Sequence, residues 1–575
     1  MCSYNAINGV PTCCDADLNS LLRVTWGFDG YITSDSGAIA DIYGAHHYQK
    51  MGAEQAAAAA ILSGVDVNSG SVYSRELGAA LKDGTLNMSG ASVGGALGRT
   101  FRTRMRLGLF DGAADQPYEH FGPETVGSAA NHQLSLEASR QALTLLQNNG
   151  SALPLLKPQR QRRAPPPTPR KVAVIGPNAD GIGTKALMAG GTGGCAHGTN
   201  LDPRVVCKCS QNNTDWCCVQ SPFEAIRDAV ANLGYGPPPV TAAGCSLDKP
   251  WDPESDDAKA ALAAAAGADD IVLLLGGHWE TDHEGMDRKS ITLPGGQVQL
   301  IATIAAVAAA ARSSANIVAV LVHGGQMDLG PLLGVARGVL DSFYPGMHGA
   351  QAIAEALFGQ VNPGGKVPAT IYREGITGRT DMDSFEMAKP PGRGYRFLDP
   401  ADPDVIFGFG HGLSYTTFAL AAGPGAQPAS MDNGGDRAAA SVSFSAKVTN
   451  TGAVPGDETV FAFWRPLGDL ATNPVNATYM PLRRQLFGFQ RVAALAPGTS
   501  AVVSIALELD EITLFDADGN RMSRPGSYEV VLSRGPAFAA EDVVLPFAIS
   551  GAAGPVVLEA LPPALVARAH NPRSV

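Results

Sequence analysis

Over residues 1–110 short β-rich runs alternate with helical ones. GYITSD (30–35) is a brief strand pattern ending in polar residues, AEQAAAAAILSG (53–64) reads as a helix, and VDVNSG (65–70) as a further strand leading into a loop. This βαβα rhythm marks parallel α/β architecture. In such folds chemistry collects where strands end, so Asp35 and the residues after Val67 are expected on a functional rim. The segment has too few strands to close a sheet by itself. Residues 133–156 predict a helix and then an extended stretch. A second α/β unit opens at KVAVIG (171–176), with strands at DIVLLLGG (270–277), NIVAVLVHGG (316–325) and GVLDSFYPG (338–346) and helices at 256–266 and 296–311. That is a doubly wound pattern. Residues 420–438, rich in Gly, Pro and Asn, read as a linker. From about 440 the period shortens to two: ASVSFSAKVTNTG, TVFAFW, RRQLFGFQRV, AVVSIALEL and GSYEVVLSR predict an antiparallel β-sandwich.

Composition narrows the classes. A chain of 575 residues exceeds one hydrophobic core, and 45% apolar with 17% charged residues describes a globular protein. The net charge of −12 argues against general nucleic-acid binding, which depends on clustered Lys and Arg. The longest apolar run, 300–322, is broken by Arg312 and reads as a buried helix followed by a strand rather than a membrane span. Met1 runs directly into CSYNAINGV without the basic and apolar regions of a signal peptide. KPQRQRRAPPPTPRK (157–171) reads as a solvated loop, with a polyanion-binding arm as its rival. Of nine cysteines, five (Cys195, Cys207, Cys209, Cys217 and Cys218) crowd one Gly- and Asn-rich stretch. A local disulfide cluster suits them better than a zinc knuckle, whose paired C-x-x-C spacing is missing. Sequons at Asn87, Asn149, Asn212 and Asn476 suit a secreted glycoprotein.

Three stretches could carry chemistry. Gly181-Ile-Gly-Thr-Lys-Ala186 fits the dinucleotide pattern G-x-G-x-x-A, but it stands several residues beyond its strand and reads as part of a loop. GGHWETDHEGMDR (276–288) packs five ligand-type side chains into seven positions. His278 and His283 are five apart, though, and do not align on one helix face as a zinc site needs, so no metal is expected. Carboxylates are the third possibility. Glycoside hydrolysis needs one carboxylate to attack or to activate water, and one carboxylic acid to protonate the leaving oxygen. Asp35 ends a strand and Glu284 lies on a post-strand loop, and both placements suit that work.

Read together and in order, MCSYNAINGVPTC, WGFDGYITSDSGAI, AGADDIVLLLGG with HEGMDR, FYPGMHGAQAIAEALFGQVNPGGKVPATIY and FGFGHGLSYTTF resemble glycoside hydrolase family 3 over residues 1 to about 420. MRLGLFDG, QPYEHFGPETV, LEASRQALTLLQNNGSALPL, GRTDMDSFEM and PGRGYRF carry a likeness to its β-xylosidase and α-L-arabinofuranosidase branch. β-Glucosidases share the core motifs. The resemblance implies α/β plus all-β architecture: the C-terminal part of a (β/α)8 barrel (1–120), an α/β sandwich domain (121–420), a linker (421–439), a fibronectin III-like β-sandwich (440–550) and a tail (551–575).

It also implies roles. Asp35 matches the nucleophile that forms a covalent glycosyl-enzyme, and Glu284 the acid/base. Tyr4 matches a residue lining the subsite beside the nucleophile. Asp287 and Arg288 would support the acid/base loop. Ser36, His278 and Trp279 depart from the branch's usual residues and would shape substrate preference. The expected substrate is an oligosaccharide, with terminal xylose removed from xylo-oligosaccharides. No cofactor, nucleic acid or membrane is implied, and the resemblance points to an extracellular or cell-wall setting. The motif containing Met1 aligns within the sixth barrel strand, which leads to the expectation of a truncated barrel. The alternatives are a β-glucosidase or α-L-arabinofuranosidase of the same family, or a catalytically inactive carbohydrate-binding or interaction protein.

Overall fold

The computed structural model describes residues 1–89, 92–122, 125, 128–157, 169–188, 219–278, 281, 283, 286–310, 315–381, 383–433, 441–472, 478–516, 518–536, 541–551 and 555–560. It forms two compact units. The first comprises Met1–Gly122 with Leu514–Met522 and the chain from Val557; the second comprises Pro123–Thr513 and Ser523–Val556.

The first unit holds a two-residue hairpin, β1 (Ala6–Ile7) and β2 (Val10–Pro11), and helices α1 (Ala16–Ser20), α2 (Ala38–Tyr43), α3 (Ala53–Leu62), α4 (Val72–Lys82) and α5 (Val93–Arg106). The runs GYITSD and VDVNSG do not form full strands. Their contacts shrink to single parallel bridges, Cys2 with Ser34 and Thr33 with Val67. Small isolated pairings form only marginal ladders, and three short segments meet here. Helix α3 buries Ala56, Ala57 and Ala60 with Ile32, Ile39, Ile42 and Val65, so small alanines let helix and strand ends approach closely. A disulfide between Cys2 and Cys13 ties the first bridge to the turn after the hairpin.

The second unit is built on a six-stranded sheet of order β3-β8-β7-β6-β4-β5. Its strands are β3 (Thr144–Asn148), β4 (Val172–Ile175), β5 (Val240–Ala242), β6 (Asp270–Gly276), β7 (Asn316–Val322) and β8 (Gly338–Asp341). All neighbours run parallel except β3, which pairs antiparallel with β8 at the edge. Successive side chains face opposite ways along a strand. Accordingly Val174, Val272, Leu274, Val320 and Leu340 enter one core, and Ile175, Leu273, Leu275, Leu321 and Val339 the other. The first core is covered by residues of α6 (Ala129–Ala142), α7 (Ile182–Met188), α8 (Pro222–Asn232) and α12 (Gly349–Leu357). The second is covered by α9 (Asp256–Ala266), α10 (Gln297–Ala310) and α11 (Gly330–Leu333). Burial on both faces explains why these strands read as unbroken apolar runs. No described helix is long and apolar enough to cross a membrane.

A small pair, β9 (Ile371–Tyr372) and β10 (Val405–Phe407), precedes the sandwich. One sandwich sheet orders β11 (Phe418–Ala422), β13 (Ser441–Asn450) and β16 (Ser500–Glu508). The other orders β12 (Ala429–Asp432), β20 (Val543–Ser550), β19 (Gly526–Ser533), β14 (Gly456–Pro466) and β15 (Gln485–Leu495). A short sheet joins β17 (Leu514–Phe515), β18 (Arg521–Ser523) and β21 (Val556–Glu559). One expectation is corrected: the stretch read as a linker carries strands β11 and β12, of which β12 pairs parallel with β20. FALAA and ASMD have small or polar residues in place of a strong period of two. Pairing with β13 and β20 supplies the order that their own pattern lacks. Trp464 packs edge-on against Tyr528, and Phe444 against Phe547, to fill the sandwich core. The basic stretch 158–168, the cysteine cluster 195–218 and the sequons at Asn212 and Asn476 lie outside the described residues.

Candidate active site

In the first unit three chain segments come together at the ends of parallel bridges. Cys2 N–H donates to Thr33 O (2.9 Å), Asp35 N–H to Cys2 O (2.9 Å) and Ser34 N–H to Val67 O (2.8 Å). Tyr4, Asp35 and the Asn68–Ser69 turn therefore emerge on one rim. Asp35 is half-buried, and its Oδ1 accepts the Ser36 N–H at 2.7 Å. Gly37 then takes φ +84°, a left-handed turn that suits glycine, and opens α2. Tyr4 Oη donates to Ser36 O at 3.0 Å, which holds its ring beside the carboxylate-bearing turn. Tyr4, Asp35 and Ser36 are thus brought into one cluster.

The rim has support that sequence reasoning did not single out. Buried Ser34 Oγ accepts from Ser69 N (3.0 Å) and Asn68 Nδ2 (3.1 Å), and the Ser36 and Ser69 hydroxyls lie 2.9 Å apart. His46 Nε2 is 2.7 Å from Tyr4 O. Beneath them Asp66, buried, binds Arg23 and Arg99 at 2.6 Å each and accepts the Ile32 N–H at 2.8 Å. The one sequence signal for this layer is the polar ending of VDVNSG. Its partners are scattered from residue 23 to residue 99, so no local pattern joins them.

In the second unit β6 ends in two glycines, and the loop of His278 to Arg288 follows. Its stem is clamped by amide side chains. Buried Gln297 accepts the Gly276 N–H at 2.9 Å and donates back to Gly276 O at 2.8 Å, while buried Asn178 Nδ2 donates to Gly277 O at 3.1 Å. Gly276, at φ +134°, lies so close to Val322 O that a Cβ would collide with it. His278 N–H donates to Thr281 Oγ1 (3.1 Å), whose hydroxyl and N–H return to His278 O. Further on, His283 and Met286 exchange backbone hydrogen bonds of 3.2 and 2.8 Å. Arg288 donates to Ser290 O (3.3 Å) and Gln326 O (2.8 Å), which ties the end of the loop back to the body. Asp287 lies in this same closing stretch. Trp279 and Glu284 lie outside the described residues.

The G-x-G-x-x-A stretch also resolves differently from expectation. Helix α7 begins within it, at Ile182. A methyl placed on Gly183 would lie 2.6 Å from Nε2 of His278, so this glycine makes room for a ring of the post-β6 loop. Among the described residues no group of three or more His, Cys, Asp or Glu side chains is placed to hold a metal ion.

Comparison with known proteins bears on both units. Residues 143–415 match the glycosyl hydrolase family 3 C-terminal domain, and residues 472–535 a fibronectin type III-like domain. A β-xylosidase/α-L-arabinofuranosidase 2 of Medicago sativa subsp. varia is 31% identical over 555 residues, covering 92% of this chain and 64% of its own length. β-D-Xylosidase 1 of Arabidopsis thaliana is 32% identical over 560 residues, covering 92% and 64%. The chain thus spans just under two thirds of these relatives' length. A solved family 3 exo-β-xylosidase in complex with a xylobiose aziridine probe superposes with a TM-score of 0.78 at 26% identity, covering 98% of this chain and 67% of the other. A β-glucosidase from Erythrobacter marinus gives 0.73 at 27% identity, covering 95% and 67%.

Proposed function

We propose, from the glycosyl hydrolase family 3 C-terminal domain that residues 143–415 match and from the relatives named above, that this chain is a family 3 retaining exo-glycosidase removing terminal β-linked xylose from xylo-oligosaccharides. The observation that carries the reading is the rim of the first unit, where Tyr4 bonds the turn that carries Asp35 at the ends of parallel segments.

In the first step the Asp35 carboxylate attacks the anomeric carbon while the Glu284 carboxylic acid gives its proton to the departing glycosidic oxygen. A covalent glycosyl-enzyme forms and the aglycone leaves as an alcohol. In the second step Glu284, now a carboxylate, takes a proton from water as its oxygen attacks the same carbon, freeing Asp35. The route needs the two carboxyl groups about 5–5.5 Å apart when substrate is bound. Tyr4 keeps one wall of the sugar site fixed through Ser36 O. Asp287 and Arg288 hold the loop that presents Glu284, and Ser36, His278 and Trp279 shape what the site accepts. The Cys2–Cys13 disulfide and the exposed sequon residues Asn87 and Asn149 support an extracellular setting.

The purified chain is expected to hydrolyse an aryl β-xyloside faster than the aryl β-glucoside or α-L-arabinofuranoside, and Asp35→Asn to lower kcat about 10³-fold or more. A glucoside preference would move the assignment to β-glucosidase. Absence of turnover on all three, or an Asp35→Asn variant that behaves as wild type, would overturn it. The competing reading is a carbohydrate-binding protein without turnover. It draws on exposed apolar side chains of the first unit, among them Trp26, Leu107, Leu109, Phe110 and Phe121. Measurable turnover removes that reading.

A further inference from the structure

His323 follows β7 and Asp341 ends β8, both buried, and neither has a role in the chemistry above. His323 Nδ1 is 2.7 Å from Gly325 O, and its Nε2 is 3.2 Å from Asp341 Oδ2. A carbonyl and an ionised carboxylate can only accept hydrogen bonds, whereas a neutral imidazole has one N–H and one lone pair. A neutral ring beside an ionised Asp341 would therefore set a lone pair against an oxygen at one end. Both contacts are satisfied only if the pair holds one more proton, as imidazolium with carboxylate or as imidazole with carboxylic acid.

The turn that His323 holds is gripped from its other side by the loop. Arg288 Nη2 donates to Gln326 O at 2.8 Å, one residue beyond the carbonyl that His323 holds. Gln326 Nε2 in turn donates to Thr370 O at 2.8 Å. Asp341 Oδ1 accepts the Phe343 N–H at 2.9 Å, and His323 N–H donates to Phe343 O at 3.2 Å. Phe343 is at φ +50°, a left-handed conformation that a bulky residue keeps only when its surroundings enforce it. The Asp341 side chain and the His323 backbone N–H thus hold a strained turn, while the His323 ring holds the turn that seats Arg288.

We infer that His323 and Asp341 form a proton-dependent latch, which holds the 324–327 turn and, through Arg288, positions the loop bearing Glu284. They are positioning residues. Burial, the largest influence on the ring, disfavours its charge, and Arg288 opposes it as well. The charge and hydrogen bond of Asp341, with the Gly325 carbonyl, outweigh them and hold His323 above its ordinary value of 6.5. A group raised in this way contributes stability that is complete below 6.5 and is lost as pH rises through the folded-state value.

The consequence for catalysis rests on the glycosidase reading, but the latch can be measured without turnover. In the full chain labelled with ¹³C-histidine, the His323 resonance is expected to titrate above 6.5, and in Asp341→Asn below it. Tryptic cleavage after Arg288, normalised to a peptide standard, is expected to quicken about tenfold as pH passes that midpoint, and to be fast at every pH in Asp341→Asn. Turnover of glycosides with poor leaving groups should fall at the same midpoint, while activated aryl glycosides are spared, because only the former need the acid. A His323 that titrates at or below 6.5, or proteolysis that ignores its ionisation, overturns the latch. Absence of all turnover overturns the glycosidase reading instead and leaves both latch measurements standing. The wild-type titration needs no variant to fold.

Discussion

The rim of the first unit and the sheet of the second present their candidate residues on different kinds of foundation. Strands β6 and β7 of the second unit are seven residues each and packed on both faces by aliphatic side chains. The equivalent segments of the first unit meet through single bridges. They are held instead by a buried carboxylate with two arginines, a buried serine and a disulfide. Apolar packing is non-directional and tolerates substitution by shape. A buried polar network is directional, and removing one member leaves the others desolvated without partners. The unit carrying Asp35 should therefore be brittle to single polar substitutions, and the unit carrying the post-β6 loop should be sensitive mainly to lost volume.

The sharpest break of this comparison is Asp66→Asn. It leaves Arg23 and Arg99 without their buried counter-charge and should cost about 3–5 kcal/mol. Hydrogen exchange would read it as lost protection of the Ile32 and Ser34 amides, with the β6 amides unchanged. Leu274→Ala is the matching change in the second unit. It opens a cavity in a dry core and should cost about 3 kcal/mol, with protection lost along β6 and β7 and retained at Ile32. If the two substitutions affected both regions alike, the distinction drawn here would fail.

Replacing Cys2 and Cys13 by serine should cost about 2–3 kcal/mol, since the bridge closes a short loop. The effect should fall on the Asp35 N–H to Cys2 O bond and so on the same amides as Asp66→Asn. The mildest test uses the free thiols among the described residues, Cys14 and Cys245. Burial, with a smaller push from Asp15, raises the Cys14 thiol to about 11; burial, with Asp257, raises Cys245 to about 12. Both should label slowly with iodoacetamide at pH 8 in the native protein, as followed by peptide mass mapping. Cys14 should react first, because the unit that holds it depends on fewer packed strands.

Much of the second unit was legible in the chain. DIVLLLG reads as a strand because every position is apolar, as burial on both faces requires. The alanine-rich pattern of 256–266 is helix α9. Strands β11 and β12 were not legible, because FALAA and ASMD carry too little apolar contrast to announce a face. The helix α7 was missed because Gly181 and Gly183 mimic a loop, and only the fold shows that His278 needs the space above Gly183. Asp35 stands out in the sequence as a candidate by its place after a β-rich run. Ser34, Asp66, Gln297, Asn178 and His323 were not found, since each gains its meaning from a partner far along the chain.

The sequence by itself determined the classes of element, the apolar faces of the sheet and the residue types able to do glycosidic chemistry, because hydrophobic period and strand-end polarity are local properties. Only the tertiary structure decided which backbone groups those polar residues satisfy, which glycines make room for a neighbour, and that His323 meets two acceptors at once. Those facts depend on distances between segments tens to hundreds of residues apart, and no local pattern encodes them.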